Sequence, residues 1–370
     1  MSGPHYRHAE PAYPPRTFFG GARPMEAKPL ALSRMLICRT DNLGDVVLTL
    51  PLAGFLKQQF PGVQVDFLCR AYAAPLVRQC RNIDQVLVFD AQDDAQRRFA
   101  DGAYDTVIFA FPDRALAQAA QRAGIANRVG TSHRLHHWFT CNRLAHFSRT
   151  RSPLHEAQLN FALLRPLGID HVPALDDIAA LYGLEAPRLP SVDALRAEAP
   201  FNVVLHPKSN GNGREWPLDH YEALARSLQD DGACVWVTGS AQEGDLLARE
   251  VPGLLAMPHV RNLCGRFDLA GLSALIGVAD GLVASGTGPL HIGAALGRPV
   301  LGLFPPIKSI DLGRWGALGA QARSLSCAQR CTSCTGSAAC TCMRAIKVDA
   351  VAAIVRGWRK IAPQSAPQSA

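Results

Sequence analysis

Short β-branched runs alternate with apolar-periodic stretches from residue 35 onward, and the alternation is played through twice. In the first half MLIC, ending at Cys38, precedes a helical stretch from Asp45 to Gln59 and then VQVDFLC, ending at Cys69. Strands follow at Gln85–Phe89 and Thr106–Ala110, and a helix at Ala115–Ala123. In the second half strands are expected at Val203–His206, Cys234–Thr238, Gly281–Ala284 and Val300–Leu303, with helices beginning at Leu218, Glu243, Leu269 and Pro289. Strand–helix–strand order makes successive strands parallel, because a parallel crossover needs a dozen or more residues and a helix supplies them. The expectation is an α/β chain of two doubly wound sheets.

At 370 residues the chain exceeds the length over which one core keeps growing, which agrees with two units. The Pro-rich stretch PRLPSVDALRAEAP, residues 187 to 200, separates them. The boundaries read as a flexible tail over 1–32, a first domain over 33–185, a linker over 186–200, a second domain over 201–346, a closing helix over 347–362 and a disordered tail over 363–370. Hydrophobic residues at 48% against charged residues at 19% exclude a disordered chain. No run approaches the roughly 18 uncharged apolar residues of a membrane span. The N-terminal stretch lacks the apolar core of a signal peptide. Eleven Cys is an odd number, and six of them lie scattered in apolar segments, which suits a reducing, cytoplasmic compartment.

The first strand runs into RTDNLGDVVLTLP, residues 39 to 51. Gly44 lets backbone approach a ligand, while Asp45 opens a helix at the carboxyl edge of the sheet, where doubly wound folds bind ligands. Asp41 and Asp45 are candidates for a general base, and the alternative is that one is an N-cap. The three-glycine spacing of a dinucleotide fingerprint is absent. In HPKSNGNGREWP, residues 206 to 217, Lys208, Ser209 and Arg214 sit on a loop from strand to helix, either an anion site or a solvated loop. Ser285, Gly286, Thr287 and Gly288 follow a buried strand and open a helix whose N–H groups suit a diphosphate, with His291 one turn in. Glu243 either accepts from ribose hydroxyls or favours a helix N-terminus.

Between Arg114 and Arg151 stand seven Arg and four His with no Asp, Glu or Lys, a charge of +7 that equals the excess of the whole chain. Arg114 and Arg134 are candidates for contact with an anionic acceptor; the other reading is an Arg-rich surface that neutralises acids elsewhere. Nucleic acid is disfavoured because aromatic residues hardly interleave with the cations, Trp138 and Phe139 being the main instance. Cys327, Cys331, Cys334, Cys340 and Cys342 place five thiols in 16 residues. They are candidates for a structural zinc, against the alternative of reduced, unligated thiols.

Taken in order, RTDNLGDVVLTLP, HPKSNGNGREWP, TGSAQE, NLCGRFDLAGLSALIGVAD and SGTGPLHIGAALGRP make the chain resemble glycosyltransferase family 9, typified by ADP-heptose:lipopolysaccharide heptosyltransferases. The resemblance spans residues 35 to about 304. It implies a GT-B architecture, two Rossmann-like domains with a cleft between them, the acceptor on the first and a nucleotide diphosphate sugar on the second. It also implies inverting transfer with no metal cofactor required. Asp45 matches the family's proposed base, Thr287 and Gly288 its diphosphate contact, and Glu243 its ribose contact. Arg214 stands where Lys is usual, and Gly286 where the family has Asp. The implied donor is ADP-heptose, and the implied acceptor an anionic glycan or lipid-linked saccharide reached by peripheral contact with the inner membrane. Two other readings stay open: a catalytically silent sugar-nucleotide-binding or scaffold protein, and a nucleotide-sugar epimerase.

Overall fold

Strands that are covered by helices on both faces read as mainly apolar runs, and RMLIC, TVIF, FNVVLH, ACVWV and VLGLF are such runs. They form the centres of two parallel sheets in the computed structural model, which describes residues 32–89, 94–209, 211, 213–327, 331, 336 and 340–360. The first sheet contains β1 (Arg34–Cys38), β2 (Gln64–Arg70), β3 (Val86–Phe89), β4 (Thr106–Phe109), β5 (Asn127–Thr131) and β6 (Arg143–Ala145) in the order β3-β2-β1-β4-β5-β6. The second contains β7 (Phe201–His206), β8 (Ala233–Val237), β9 (Val260–Asn262), β10 (Gly281–Ser285), β11 (Val300–Phe304) and β12 (Ala322–Ser326) in the order β12-β11-β10-β7-β8-β9. Read from its first strand, the second order repeats the first, and both are the doubly wound order of a Rossmann-like sheet.

This topology fixes where a ligand goes. Strand order reverses between β1 and β4 and between β7 and β10, and crevices open at the carboxyl ends of strands at such points. The segments that follow β1, β7 and β10 are motif-bearing loops, and so is TGSAQE after β8. Residues from Leu32 onward form one unit, so the two sheets present these loops to each other. The approach is close because two glycines allow it. A Cβ on Gly44 would lie 3.1 Å from the His291 ring, and a Cβ on Gly288 would lie 2.7 Å from the Leu43 side chain.

Several elements depart from the pattern reading. The helix expected over Asp45–Gln59 is two, Leu43–Val47 and Leu50–Gln59. Pro51 lacks an N–H and fits only a first turn, so the chain restarts its helix there. The expected linker holds the helix Pro190–Ala197, which buries Val192. Strands β5, β6, β9 and β12 were not expected. The helix Val348–Gly357 packs Val351, Ala352 and Val355 into the core of the second sheet. Trp358, just beyond it, lies so close to β10 that a Cβ at Gly281 would come within 2.1 Å of the indole. The expected terminal tails fall, apart from residue 32, outside the described residues. Among the described residues no helix is long and apolar enough to cross a membrane.

Candidate active site

The loops after β1, β7 and β10 enclose a cleft of about 700 Å³. Asp41, Asn42, Leu43, Gly44 and Asp45 line it from the first sheet. Asp45 is not the N-cap that a minimal reading allows. The cap position is Asn42, and Asp45 sits three residues in, buried, with its carboxylate turned to the Arg39 guanidinium. Arg39 also holds Asp41 with two bonds, Nε to Oδ1 at 2.6 Å and Nη2 to Oδ2 at 3.0 Å. One guanidinium therefore fixes both candidate acids.

Arg39 is itself part of a buried cluster. Glu156, at the start of the helix Glu156–Ala162, is 1% exposed and takes Arg149 and Arg314 in ion pairs, with Arg39 at 3.6 Å. Three cations thus face three acids: Asp41, Asp45 and Glu156. Arg314 arrives from the second half of the chain and also donates to the carbonyl of Arg149 at 3.0 Å. His155 adds a second tie between the halves: its Nδ1 accepts from the N–H of Ala157 at 3.1 Å while Nε2 donates to the carbonyl of Gly316 at 2.9 Å. That arrangement needs a neutral ring, and burial lowers the His155 pKa to about 4. Burial raises the Asp45 pKa above the ordinary carboxylate value, opposed chiefly by the charge of Arg39 and reinforced by Asp41. A carboxylate made more basic while still paired with a cation is suited to accept a proton.

The opposite wall carries groups whose chemistry suits an anion. The helix Gly288–Ala295 begins at the cleft with Thr287 as its N-cap, so its first N–H groups are turned towards the space. Thr287 Oγ1 and His291 Nδ1 are buried with no hydrogen-bond partner among the described residues, and both residues line the cleft. Burial lowers the His291 pKa to about 3, which leaves the imidazole neutral near pH 7 and able to donate one N–H. Lys208, Ser209 and Arg214 line the same wall. Glu215 shapes their loop, pairing with Lys208 Nζ at 2.5 Å and accepting from the backbone N–H of Ser209 at 2.8 Å. Glu243 reaches the cleft and also closes a capping box, its carboxylate accepting from the N–H of Ser240 at 2.7 Å. Both readings of Glu243 are compatible with this position.

The structure separates some residues that the sequence grouped. Ser285 is fully buried behind the cleft wall, where its hydroxyl accepts from the N–H of Trp216 at 3.0 Å, so it positions the loop and does not face the cavity. Gly286 faces the cavity, but a Cβ there would lie 2.7 Å from the Phe304 ring. Phe304 thus fills the space that a carboxylate side chain at 286 would need. Phe304, Ile310 and Trp315 form an apolar wall that no motif announced, because it is built from the end of β11 and the segment that follows it. Arg114 and Arg134 do not line the cleft. They flank His136, whose pKa is lowered by partial burial and then by those two charges. Cys327 and Cys331 come against Cys342 as hydrogen-bonded thiols, Cys340 is buried beside them in the second core, and Cys334 lies outside the described residues. Among the described residues no group of three or more Cys, His, Asp or Glu has an arrangement that could hold a metal ion.

Residues 99–342 match the sequence model of the family described as glycosyltransferase family 9 (heptosyltransferase). Lipopolysaccharide heptosyltransferase 1 of Pseudomonas aeruginosa is 27% identical over 302 residues, which cover 76% of this chain and 81% of that protein. Among solved structures, the family 9 glycosyl transferase of Veillonella parvula has a TM-score of 0.72 at 18% identity, covering 90% of this chain and 99% of that one. Escherichia coli heptosyltransferase WaaC with ADP-2-deoxy-2-fluoro heptose has a TM-score of 0.63 at 21% identity, covering 88% and 99%. At these identities the structural likeness is one of fold, two facing Rossmann-like sheets. Since the family match takes in more than half of its residues, the chain belongs to glycosyltransferase family 9 and is a glycosyltransferase of GT-B architecture.

Proposed function

We propose that this glycosyltransferase moves heptose or a related sugar from a nucleoside diphosphate donor, ADP-heptose before others, to an anionic lipopolysaccharide-type glycan on the cytoplasmic side of the membrane. One observation carries the reading: a buried, basic Asp45 and the open N-terminus of the helix Gly288–Ala295, with Lys208 and Arg214 beside it, line the same cleft. The names of the relatives support the choice of donor. In the proposed step Asp45 takes the proton of the acceptor hydroxyl as that oxygen attacks the anomeric carbon. The bond to the nucleoside diphosphate breaks on the opposite face, and the sugar is inverted. Negative charge develops on the leaving phosphate, where the N–H groups of the first helical turn and the two cations are preorganised to meet it. Thr287 Oγ1 and the neutral His291 supply further partners. The step requires no metal; a structural zinc at the C-terminal cysteines, if these thiols take one, would stand apart from it.

The test is transfer itself. Incubation with ADP-heptose and a lipopolysaccharide truncated before its first heptose is expected to add one heptose mass to the acceptor and release ADP, only when both substrates are present. Altered donor without acceptor would favour the epimerase. Nucleotide binding with no turnover on any acceptor would favour the silent binding protein, for which the Gly286 and Phe304 pair is the motive.

A further inference from the structure

Five large hydrophobic side chains are exposed among the described residues, and three of them fall within five positions: Leu135 at 77%, Trp138 at 55% and Phe139 at 73%. They lie on the turn that leads into the helix His137–Thr140. The N–H of Trp138 bonds the carbonyl of Leu135 and that of Phe139 bonds the carbonyl of His136, both at 3.2 Å, so the chain is already coiled there. Spacing of three and four then puts the three side chains on one face. The other face, His137, Thr140 and Cys141, is buried.

The turn is held from behind. Gln121 Nε2 donates to the carbonyl of Phe139 at 2.8 Å, Arg128 Nε donates to that of Thr140 at 2.7 Å, and His137 Nδ1 meets the carbonyl of Thr131 at 3.1 Å. The apolar face is therefore presented by a fixed scaffold. A contiguous apolar group kept in water in this way marks a contact surface.

Charge identifies what it contacts. The face sits within the segment from Arg114 to Arg151 that has seven Arg, four His and no acid. Arg114, Arg122 and Arg134 are exposed, and Arg114 and Arg134 flank His136 at the base of the turn. An apolar wedge rimmed by cations matches a bilayer bearing anionic lipid, where apolar side chains enter the interface and Arg meets phosphate. The Trp138 Nε1 already donates to the carbonyl of Ser132 at 2.8 Å, so the indole can enter an apolar layer without stranding its N–H. The turn follows the carboxyl end of β5, the edge of the sheet that opens on the cleft.

We propose that Leu135, Trp138 and Phe139 form a membrane-docking face that inserts at headgroup depth while Arg114 and Arg134 contact lipid phosphates. It brings the cleft to a membrane-borne acceptor, and for that purpose it rests on the acceptor reading above.

The experiment is flotation of the full chain with vesicles of phosphatidylcholine alone and with phosphatidylglycerol at about 3:1. Binding is expected only to the anionic vesicles, weakening with salt, with a blue shift of tryptophan emission. Replacing the three exposed residues together, Leu135→Ser, Trp138→Ser and Phe139→Ser, is expected to reduce binding at least about tenfold. Arg114→Gln and Arg134→Gln are each expected to reduce it about fivefold. Unchanged thermal unfolding of the triple variant confirms that it folds. Failure of the wild type to float, or undiminished flotation of the triple variant, overturns the proposal. So does a dimer in sedimentation that the triple variant converts to monomer, because the face then pairs two copies. Transfer to a water-soluble acceptor fragment separates the two readings: the triple variant should keep it, and its absence in a wild type that floats would remove the function while leaving the docking face.

Discussion

Asp45→Asn is expected to slow sugar transfer by about 10²- to 10⁴-fold while nucleotide affinity stays within about twofold. Asparagine keeps the shape of the side chain and an oxygen for Arg39 to bond, and it removes both the ability to take a proton and the charge paired with Arg39, so thermal unfolding of the variant is compared with wild type before its rate is read. The pH profile sharpens the prediction. Burial raises the Asp45 pKa, Arg39 opposes that rise and Asp41 adds to it. Below the raised pKa the acid is protonated and cannot act as base. The acid limb of kcat/KM should then lie above the value of about 3.9 of an unperturbed aspartate. Asp41→Asn removes a like charge, so it should move the limb to lower pH and leave the maximal rate within about tenfold. Near wild-type transfer by Asp45→Asn, with transfer lost in Asp41→Asn, would transfer the base assignment to Asp41.

Glu156→Gln should have the largest effect on stability, a loss of about 3–5 kcal/mol in denaturant unfolding. Glu156 is the acid on which Arg39, Arg149 and Arg314 converge, and burial together with its cationic neighbours already lowers the Arg149 pKa to about 9. Neutralising the acid leaves three guanidinium groups, that of Arg39 buried and those of Arg149 and Arg314 partly buried, facing two carboxylates. A comparison shows why burial decides the magnitude. Arg81 and Glu185 also pair, at 3.2 Å, but their side chains are about two-thirds exposed. Glu185→Gln should change stability by no more than about 0.5 kcal/mol. A loss below about 1 kcal/mol for Glu156→Gln would mean that the cluster does not tie the two halves together.

Much of the architecture was legible because a covered parallel strand leaves a plain trace: VLGLF contains no polar residue, and FNVVLH is apolar between Asn202 and His206. NRVGT, RLA, VRN and ARSLS leave no such trace: all are short and partly polar, and RLA, VRN and ARSLS are edge strands of the two sheets. The site was legible where chemistry is local. The loops after β1, β7 and β10 announce glycines, cations and acids within a dozen residues, and the fold brings them to one cleft. What lies across the chain was not legible. Arg314 and Glu156 are 158 residues apart, and nothing in the neighbourhood of either predicts the pair. The wall of Phe304, Ile310 and Trp315 was hidden for the same reason. Ser285 illustrates the opposite error, since a hydroxyl read as a donor contact holds the backbone of Trp216. Asp41 and Asp45 stand out in the motif as two acids four residues apart, but nothing in the motif marks Arg39 as the residue that bonds both.

Thermal unfolding of the full chain with ADP, UDP, GDP, CMP and dTDP decides whether the second half of the cleft holds a nucleoside diphosphate. A nucleotide that binds only the folded state at about 100 times its dissociation constant stabilises the chain by about 2.7 kcal/mol. A clear rise with ADP is predicted, lost when Lys208→Ala and Arg214→Ala are combined. No rise with any of these nucleotides, or with their sugar conjugates, would contradict the claim.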